Sequence, residues 1–297
     1  MYYSPLRYPG GKSRLAPFME YMLKKLGHVG GVYIEPFAGG AGIAIELLEK
    51  GLVTEIVLND YDKGIYSFWR AALSETDRFI NDIETIPLSI EEWERQHNIC
   101  MNFNGKYSYE LGFATFYMNR TNRSGIIKGG VIGGKKQTGR WGISARFNRK
   151  NLISRICRIA KLRNQVLLYN KDIQSFISNY LPKYEKMNAF VYFDPPYYHK
   201  GRQLYLNFFT HHDHAEIRKS IVNKVNCDWI VTYDDTTAIA DLYLTESMRR
   251  FELEYSASRR RKATELMIFR KEIDIPSNDE LERNGLQLNF RPVYRNG

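Results

Sequence analysis

The chain has 297 residues and a mass of 34.8 kDa, room for one large domain or a core domain with an insertion, so a disulfide-stapled miniprotein is excluded. With 43% hydrophobic and 14% aromatic residues it can bury a real core, which rules out wholesale disorder and collagen-like or low-complexity classes. The net charge of +10 is uneven: Leu111 to Lys171 hold 14 basic residues and no acidic one, leaving 29 basic against 33 acidic in the other 236, a net −4.

The first organised segment follows a glycine-rich turn, Arg7-Tyr8-Pro9-Gly10-Gly11-Lys12-Ser13. Phe18, Met19, Met22, Leu23 and Leu26 recur at helical spacing over Pro17 to Leu26, and Gly27 offers a stop. Val32 to Ile34 reads as a strand entering Glu35-Pro36-Phe37-Ala38-Gly39-Gly40-Ala41-Gly42, and Ile43 to Glu49 as a helix. A second strand, Ile56 to Leu58, ends at Asn59-Asp60, so the chain opens with βαβ grammar and a parallel sheet. From about Ser74 to Ile159 the pattern changes. It is helical over Ile90 to Met101, then basic and rich in glycine, and Ile126-Ile127 and Val131-Ile132 between glycines predict a hairpin-like loop. The sheet pattern resumes at Val166 to Tyr169, Phe190 to Phe193 and Trp229 to Thr232. Phe251, Leu253 and Tyr255, then Leu266 and Ile268, predict a hairpin at one sheet edge. No signal is read after Ile275.

A 61-residue acid-free block within a slightly acidic chain is the footprint of a polyanion-binding surface, with nucleic acid the first candidate. No window approaches the roughly 20 apolar residues of a transmembrane helix, and the start lacks a signal-peptide pattern. Cys100, Cys157 and Cys227 are isolated, which suggests reduced thiols and an intracellular, cytoplasmic protein without membrane contact.

Two familiar phosphate templates fail. A P-loop ending at Gly11-Lys12-Ser13 would need glycine at Leu6, and a dinucleotide GxGxxG starting at Gly40 would need glycine at Ile45. What remains is an acid, Glu35, at a strand end, a tight glycine turn, and a second acid, Asp60, at the tip of the next strand. A carboxylate there can accept two ribose hydroxyls, so a nucleoside cofactor is implied; the alternative is that Asp60 caps the helix beginning near Lys63. The sharpest motif is Asp194-Pro195-Pro196-Tyr197 after the strand Phe190 to Phe193. Two prolines stiffen the turn and remove amide donors, leaving the Asp194 carboxylate and the Pro195 carbonyl as acceptors for an exocyclic amino group, with Tyr197 as a stacking face.

Tyr8-Pro9-Gly10-Gly11-Lys12, Glu35-Pro36-Phe37 with its glycines, and Asp194-Pro195-Pro196-Tyr197, in that order, resemble the S-adenosylmethionine-dependent DNA adenine-N6 methyltransferases of the alpha group, the Dam-like or D12 class, over roughly residues 5 to 270. The resemblance implies an α/β fold with a Rossmann-like sheet and helices on both faces. The catalytic domain would be residues 1–73 and 160–275, interrupted by a mostly helical target-recognition insertion over 74–159, with 276–297 as a tail. It implies S-adenosylmethionine bound by Tyr8, Lys12, Glu35, Pro36, Phe37, Gly39, Gly40, Gly42, Asp60, Asp172 and Asp194, of which Asp60 would take the ribose and Asp172 approach the adenine. Catalysis would fall to Asp194, Pro195, Pro196 and Tyr197, acting on an adenine flipped from double-stranded DNA. Asn119-Arg120 followed by Gly125 is similar to the family's DNA-reading loop, with Ser124 and Lys128 in place of its Asn and Arg. Arg7, Asn119, Arg120, Arg123, Ser124, Lys128, Lys135, Lys136 and Arg140 are the expected DNA contacts, and a cognate restriction endonuclease is a candidate partner. The rival readings are a cytosine-N4 or RNA adenine methyltransferase, and a DNA-binding regulator without turnover.

No metal is expected. His211-His212-Asp213-His214 reads better as part of a helix capping box, Asp213 to Glu216, than as a ligand set. Arg259 to Lys262 reads as a solvated or phosphate-contacting turn, and Trp141, Phe147 and Tyr117 as either base-stacking or core residues.

Overall fold

A computed structural model describes residues 3–7, 12–198, 209–255 and 261–293. Seven strands form one sheet in the order β3-β2-β1-β4-β5-β7-β6: β1 (Val32–Glu35), β2 (Glu55–Asn59), β3 (Val166–Tyr169), β4 (Ala189–Phe193), β5 (Asp228–Asp234), β6 (Ser247–Tyr255) and β7 (Arg261–Phe269). The first five are parallel; β7 runs antiparallel between β5 and the edge strand β6. The strands read from the sequence for the central sheet and its edge hairpin are present, in a Rossmann-like arrangement.

The central strands are apolar at consecutive positions because both faces of the sheet are covered. Side chains alternate between them. Tyr33, Ile56, Phe190 and Met267 pack on one face, and Ile34, Val57, Val191 and Ile268 on the other. The first face is covered by α1 (Ala16–Lys25), α2 (Gly42–Glu49), α3 (Lys63–Ser74) and the helices between α3 and β3, α4 (Thr76–Thr85), α5 (Ile90–Asn102), α6 (Tyr109–Thr121) and α7 (Arg149–Lys161). The second is covered by α8 (Ile173–Ser175) with the π-turn that continues it, α9 (His211–Lys224) and α10 (Thr237–Leu242).

The stretch 74–159 is mostly helical and packs tightly on α3. A Cβ on Gly112 would lie 2.4 Å from the Ser67 carbonyl oxygen, so α6 can approach α3 this closely only with glycine there. Phe68 on α3 stacks on Phe116 at 6.0 Å, and Phe79 meets Phe113 and Phe116 edge-on at 5.2 Å.

The expected hairpin at 126–132 is not there. Gly129 and Gly130 turn the chain, Gly133 and Gly134 take φ of +85° and +74°, and only an isolated bridge pairs Asn122 with Val131. The Ile126 and Ile127 carbonyls instead accept from the Asn122 side-chain amide at 2.9 Å each, and the Ile132 N–H goes to the Thr121 carbonyl, so the two apolar pairs do not bond to each other. The capping box is displaced as well: Thr210 caps α9 and exchanges hydrogen bonds with Asp213, one turn before the expected pair. The silent tail has structure. Phe290 packs edge-on against Phe18 and Phe269, and α11 (Asn278–Arg283) presents Glu280 to Tyr21 and Lys25. Among the described residues no helix is long and apolar enough to cross a membrane.

Candidate active site

The parallel strands end together at one edge, where open α/β sheets hold ligands. Asn59, the last residue of β2, organises that edge. It is 1% exposed; its Nδ2 donates to the carbonyls of Pro36 and Lys171 at 3.0 and 3.1 Å, its Oδ1 accepts the Lys171 N–H at 2.9 Å, and its carbonyl accepts the Ala38 N–H at 2.9 Å. One side chain thus ties together the loops that follow β1 and β3.

The loop after β1 needs its glycines. Gly39 and Ala41 have φ of +46° and +45°, and a Cβ on Gly42 would lie 2.3 Å from the Ser13 Oγ. Trp69, buried on α3, donates its indole N–H to the Gly39 carbonyl at 2.9 Å. Pro36 and Gly40 are buried and Phe37 half-buried. Glu35 is 5% exposed and accepts the Ala44 N–H at 3.1 Å; burial pushes its carboxyl up to about 8, the amide opposing this and the charge of Asp194 adding to it.

Asp60 does not cap α3. Asp62 does, accepting the N–H groups of Gly64 and Ile65, while Asp60 accepts from Gly39 N at 2.8 Å and Asp62 N at 2.9 Å. Burial, reinforced by the Asp62 charge, raises the Asp60 carboxyl to about 7. Asp172 is exposed at the end of β3 and caps α8 through the Ser175 N–H at 2.9 Å. Tyr8 lies outside the described residues.

Asp194 follows β4. Its Oδ1 accepts from Thr232 Oγ1 at 2.8 Å and faces Lys12 Nζ at 3.2 Å; among the described residues its Oδ2 has no hydrogen bond, and the side chain is 26% exposed. Burial raises its pKa, opposed by Lys12 and Thr232 and assisted by Glu265. Pro195 is buried and Pro196 half-buried beside it. Tyr197, 8% exposed, donates its hydroxyl to Glu265 Oε1 at 2.9 Å and accepts from Lys12 Nζ at 3.0 Å. Lys12 also pairs with Glu265 Oε2 at 2.8 Å and lies 4.7 Å from the centre of the Tyr197 ring. Lys12 therefore joins the Asp-Pro-Pro-Tyr motif as well as flanking the glycine loop. Glu265, Thr232, Asn59 and Trp69 carried no motif in the sequence; each was an ordinary residue of a strand or a helix.

The basic block divides. Arg123, Ser124, Lys128, Lys135, Lys136 and Arg140 are exposed, and Ser124 holds φ +57°. Lys135 pairs with Glu94 at 3.0 Å, and Arg140 sits over the Trp141 ring, itself 63% exposed. Asn119 and Arg120 differ from the expectation of DNA contact: they are 1% and 7% exposed, and their side chains hold backbone groups of Arg7, Gly125 and Pro5. Burial, with Arg155, Arg7 and Arg146 nearby, lowers Arg120 to about 9. Arg7 is half-buried and donates to the Asn122 carbonyl at 3.3 Å. Of the aromatics, Tyr117 and Phe147 are core and Trp141 is surface. Arg259 and Arg260 lie outside the described residues, as do the side chains of Arg261 and Lys262. The histidines are separate: His214 is buried against the Tyr233 hydroxyl at 3.1 Å, and His211 meets the Tyr198 hydroxyl at 3.1 Å.

The chain is 24% identical over 221 residues to a type II methyltransferase, M.MjaIII, of Methanocaldococcus jannaschii, covering 70% of this chain and 73% of that one. Among solved structures, a Pyrococcus horikoshii protein described as an RNA methyltransferase matches with a TM-score of 0.43 and 11% identity over 91% of this chain and 87% of that one. The rRNA methyltransferase aviRa of Streptomyces viridochromogenes matches with a TM-score of 0.39 and 13% identity over 88% and 86%. The sequence model of the D12 class N6 adenine-specific DNA methyltransferases matches residues 8–257, from the glycine turn to just past β6, and the chain belongs to that family: it is a site-specific DNA adenine methyltransferase.

Proposed function

We propose that Asp194 and the Pro195 carbonyl hold the N6 amino group of an adenine flipped out of duplex DNA. The carrying observation is the asymmetry of the Asp194 carboxylate: Thr232 and Lys12 occupy Oδ1, and Oδ2 has no hydrogen bond among the described residues. An amino group brings two N–H donors, and two rigid acceptors satisfy both while its lone pair faces the methyl group. Tyr197, pinned through its hydroxyl, offers a ring face to the base.

Membership of the family implies a methyl donor of the S-adenosylmethionine type. The donor set suits it: a half-buried carboxylate at Asp60 for ribose hydroxyls, Asp172 exposed at the next strand end, and a backbone-lined loop from Glu35 to Gly42 with Pro36, Phe37, Gly39 and Gly40 at its turn. When bound, the sulfonium supplies an activated methyl group. The chain's share is alignment of the amino nitrogen, exclusion of water, and an acceptor beside the proton that nitrogen loses. Arg123, Ser124, Lys128, Lys135, Lys136 and Arg140 form the DNA-facing surface in this reading, with residues 74–159 as the recognition insertion; the acid-free stretch supports it. A cognate restriction endonuclease is the proposed partner, a reading supported by the type II designation of the archaeal relative.

Asp194→Ala is expected to abolish methyl transfer to DNA and retain S-adenosylmethionine binding by calorimetry. Full activity in a tritiated-methyl assay would overturn the assignment.

A further inference from the structure

We infer that Glu265, on β7 and outside every motif, is a positioning residue for methyl transfer: it takes the Lys12 charge and the Tyr197 hydroxyl, and so keeps one oxygen of Asp194 available to the adenine amino group. The inference rests on the assignment of Asp194 proposed above.

Topology brings Glu265 to the site. β7 is inserted antiparallel beside β5, with Glu265 in register with Asp234 at the carboxyl end of β5. A residue from the last strand therefore lies at the edge where the parallel strands finish. Its carboxylate is 3% exposed, against 26% for Asp194. It is shared between two partners, Lys12 Nζ on Oε2 at 2.8 Å and the Tyr197 hydroxyl on Oε1 at 2.9 Å.

The Lys12 ammonium has three N–H groups, and among the described residues three acceptors face it: Glu265 at 2.8 Å, the Tyr197 hydroxyl at 3.0 Å and Asp194 Oδ1 at 3.2 Å. The nearest is Glu265. Without that carboxylate a buried ammonium would have Asp194 as the remaining anion in this group and would draw it inward, because a buried charge stripped of its partner is strongly disfavoured. Charge count points the same way. Among the described residues the cluster holds one ammonium and two carboxyls, so with both carboxyls ionised it carries −1 beside the nitrogen that gains positive charge as it attacks the methyl group. A neutral residue at 265 cancels that excess. Tyr197 is affected by the same change, since its hydroxyl bridges Lys12 and Glu265 and the bridge fixes its ring.

The test uses the full chain with Glu265→Gln and Glu265→Asp, comparing kcat, KM for a DNA duplex carrying the recognition site, and S-adenosylmethionine affinity. For Glu265→Gln, kcat is expected to fall on the order of 10- to 100-fold, by analogy with the loss of a residue that orients a metal ligand. KM and cofactor affinity are expected to stay within about twofold, the pattern of a lost transition-state interaction. Glu265→Asp keeps the charge and is expected to lose less kcat than Glu265→Gln, which keeps the inference testable should the glutamine variant fold poorly. A kcat close to wild type in both variants overturns the inference. So does a kcat loss matched by an equal loss of cofactor affinity, which marks a structural role. Activity in Asp194→Ala would instead overturn the underlying assignment, whatever Glu265→Gln does.

Discussion

The side-chain amide of Asn119 grips both backbone groups of Arg7: Oδ1 accepts the Arg7 N–H at 2.7 Å, and Nδ2 donates to the Arg7 carbonyl at 2.9 Å and to the Gly125 carbonyl at 3.0 Å. Next to it, Arg120 donates Nε to the Pro5 carbonyl at 2.7 Å, and Arg155 donates to the Ser4 carbonyl at 2.8 Å. A Cβ on Gly125 would lie 2.1 Å from the Arg7 carbonyl oxygen. The segment leading into the N-terminal glycine turn is thus sewn to the loop that resembles the family's DNA-reading loop.

This separates two kinds of basic residue. Asn119→Ala is expected to lower unfolding free energy by roughly 2–3 kcal/mol, since it leaves several backbone groups without partners. The slope of log affinity for DNA against log salt is expected to stay unchanged on Arg120→Met, because Arg120 is buried. Arg123→Ala, at an exposed position, is expected to reduce that slope by about 1 with little change in stability. Urea melts and binding titrations across a salt series check both. An equal loss of slope at Arg120 would make it a phosphate contact.

Much of the fold was legible because central strands buried on both faces must be apolar without interruption, as Val32 to Ile34 and Phe190 to Phe193 are. Asp194 and Glu35 were legible because a carboxylate directly after such a strand stands at the ligand edge. The rest depended on distance in the chain. Asn119 and Arg120 were found as a motif, but charge and polarity alone do not reveal that their partners are carbonyls near the N-terminus. Glu265 meets Tyr197 only because β7 reverses direction, and Leu281 and Phe290 are too sparse to show a period although both are buried.

Gly112 reports on how α6 is held against α3. Gly→Ala in a helix ordinarily gains up to about 1 kcal/mol. At 112 the new methyl would lie 2.4 Å from the Ser67 carbonyl oxygen and 3.0 Å from the Phe68 amide nitrogen, backbone atoms that cannot swing aside. Gly112→Ala is therefore expected to destabilise by about 1–3 kcal/mol, the cost of overpacking. Denaturant midpoints measure it, and a stabilised variant would show that α3 and α6 can move apart.

Glu35 gives the fold a pH dependence of definite sign. Its ordinary value of 4.5 rises to about 8 in the folded chain, chiefly through burial, so between those values the folded state binds the proton more tightly than the unfolded one. Stability contributed by this group is present at low pH and declines as pH rises from about 4.5 to about 8, levelling off above that. Glu35→Gln lacks the titrating group and keeps an oxygen that can accept the Ala44 N–H, so its advantage over wild type is expected to grow with pH across that window. Chemical melts of both proteins, without added cofactor, measure the gap. Parallel stability curves would mean that the Glu35 carboxyl ionises in the folded chain at its ordinary value, with the negative charge already standing at the mouth of the glycine loop at neutral pH.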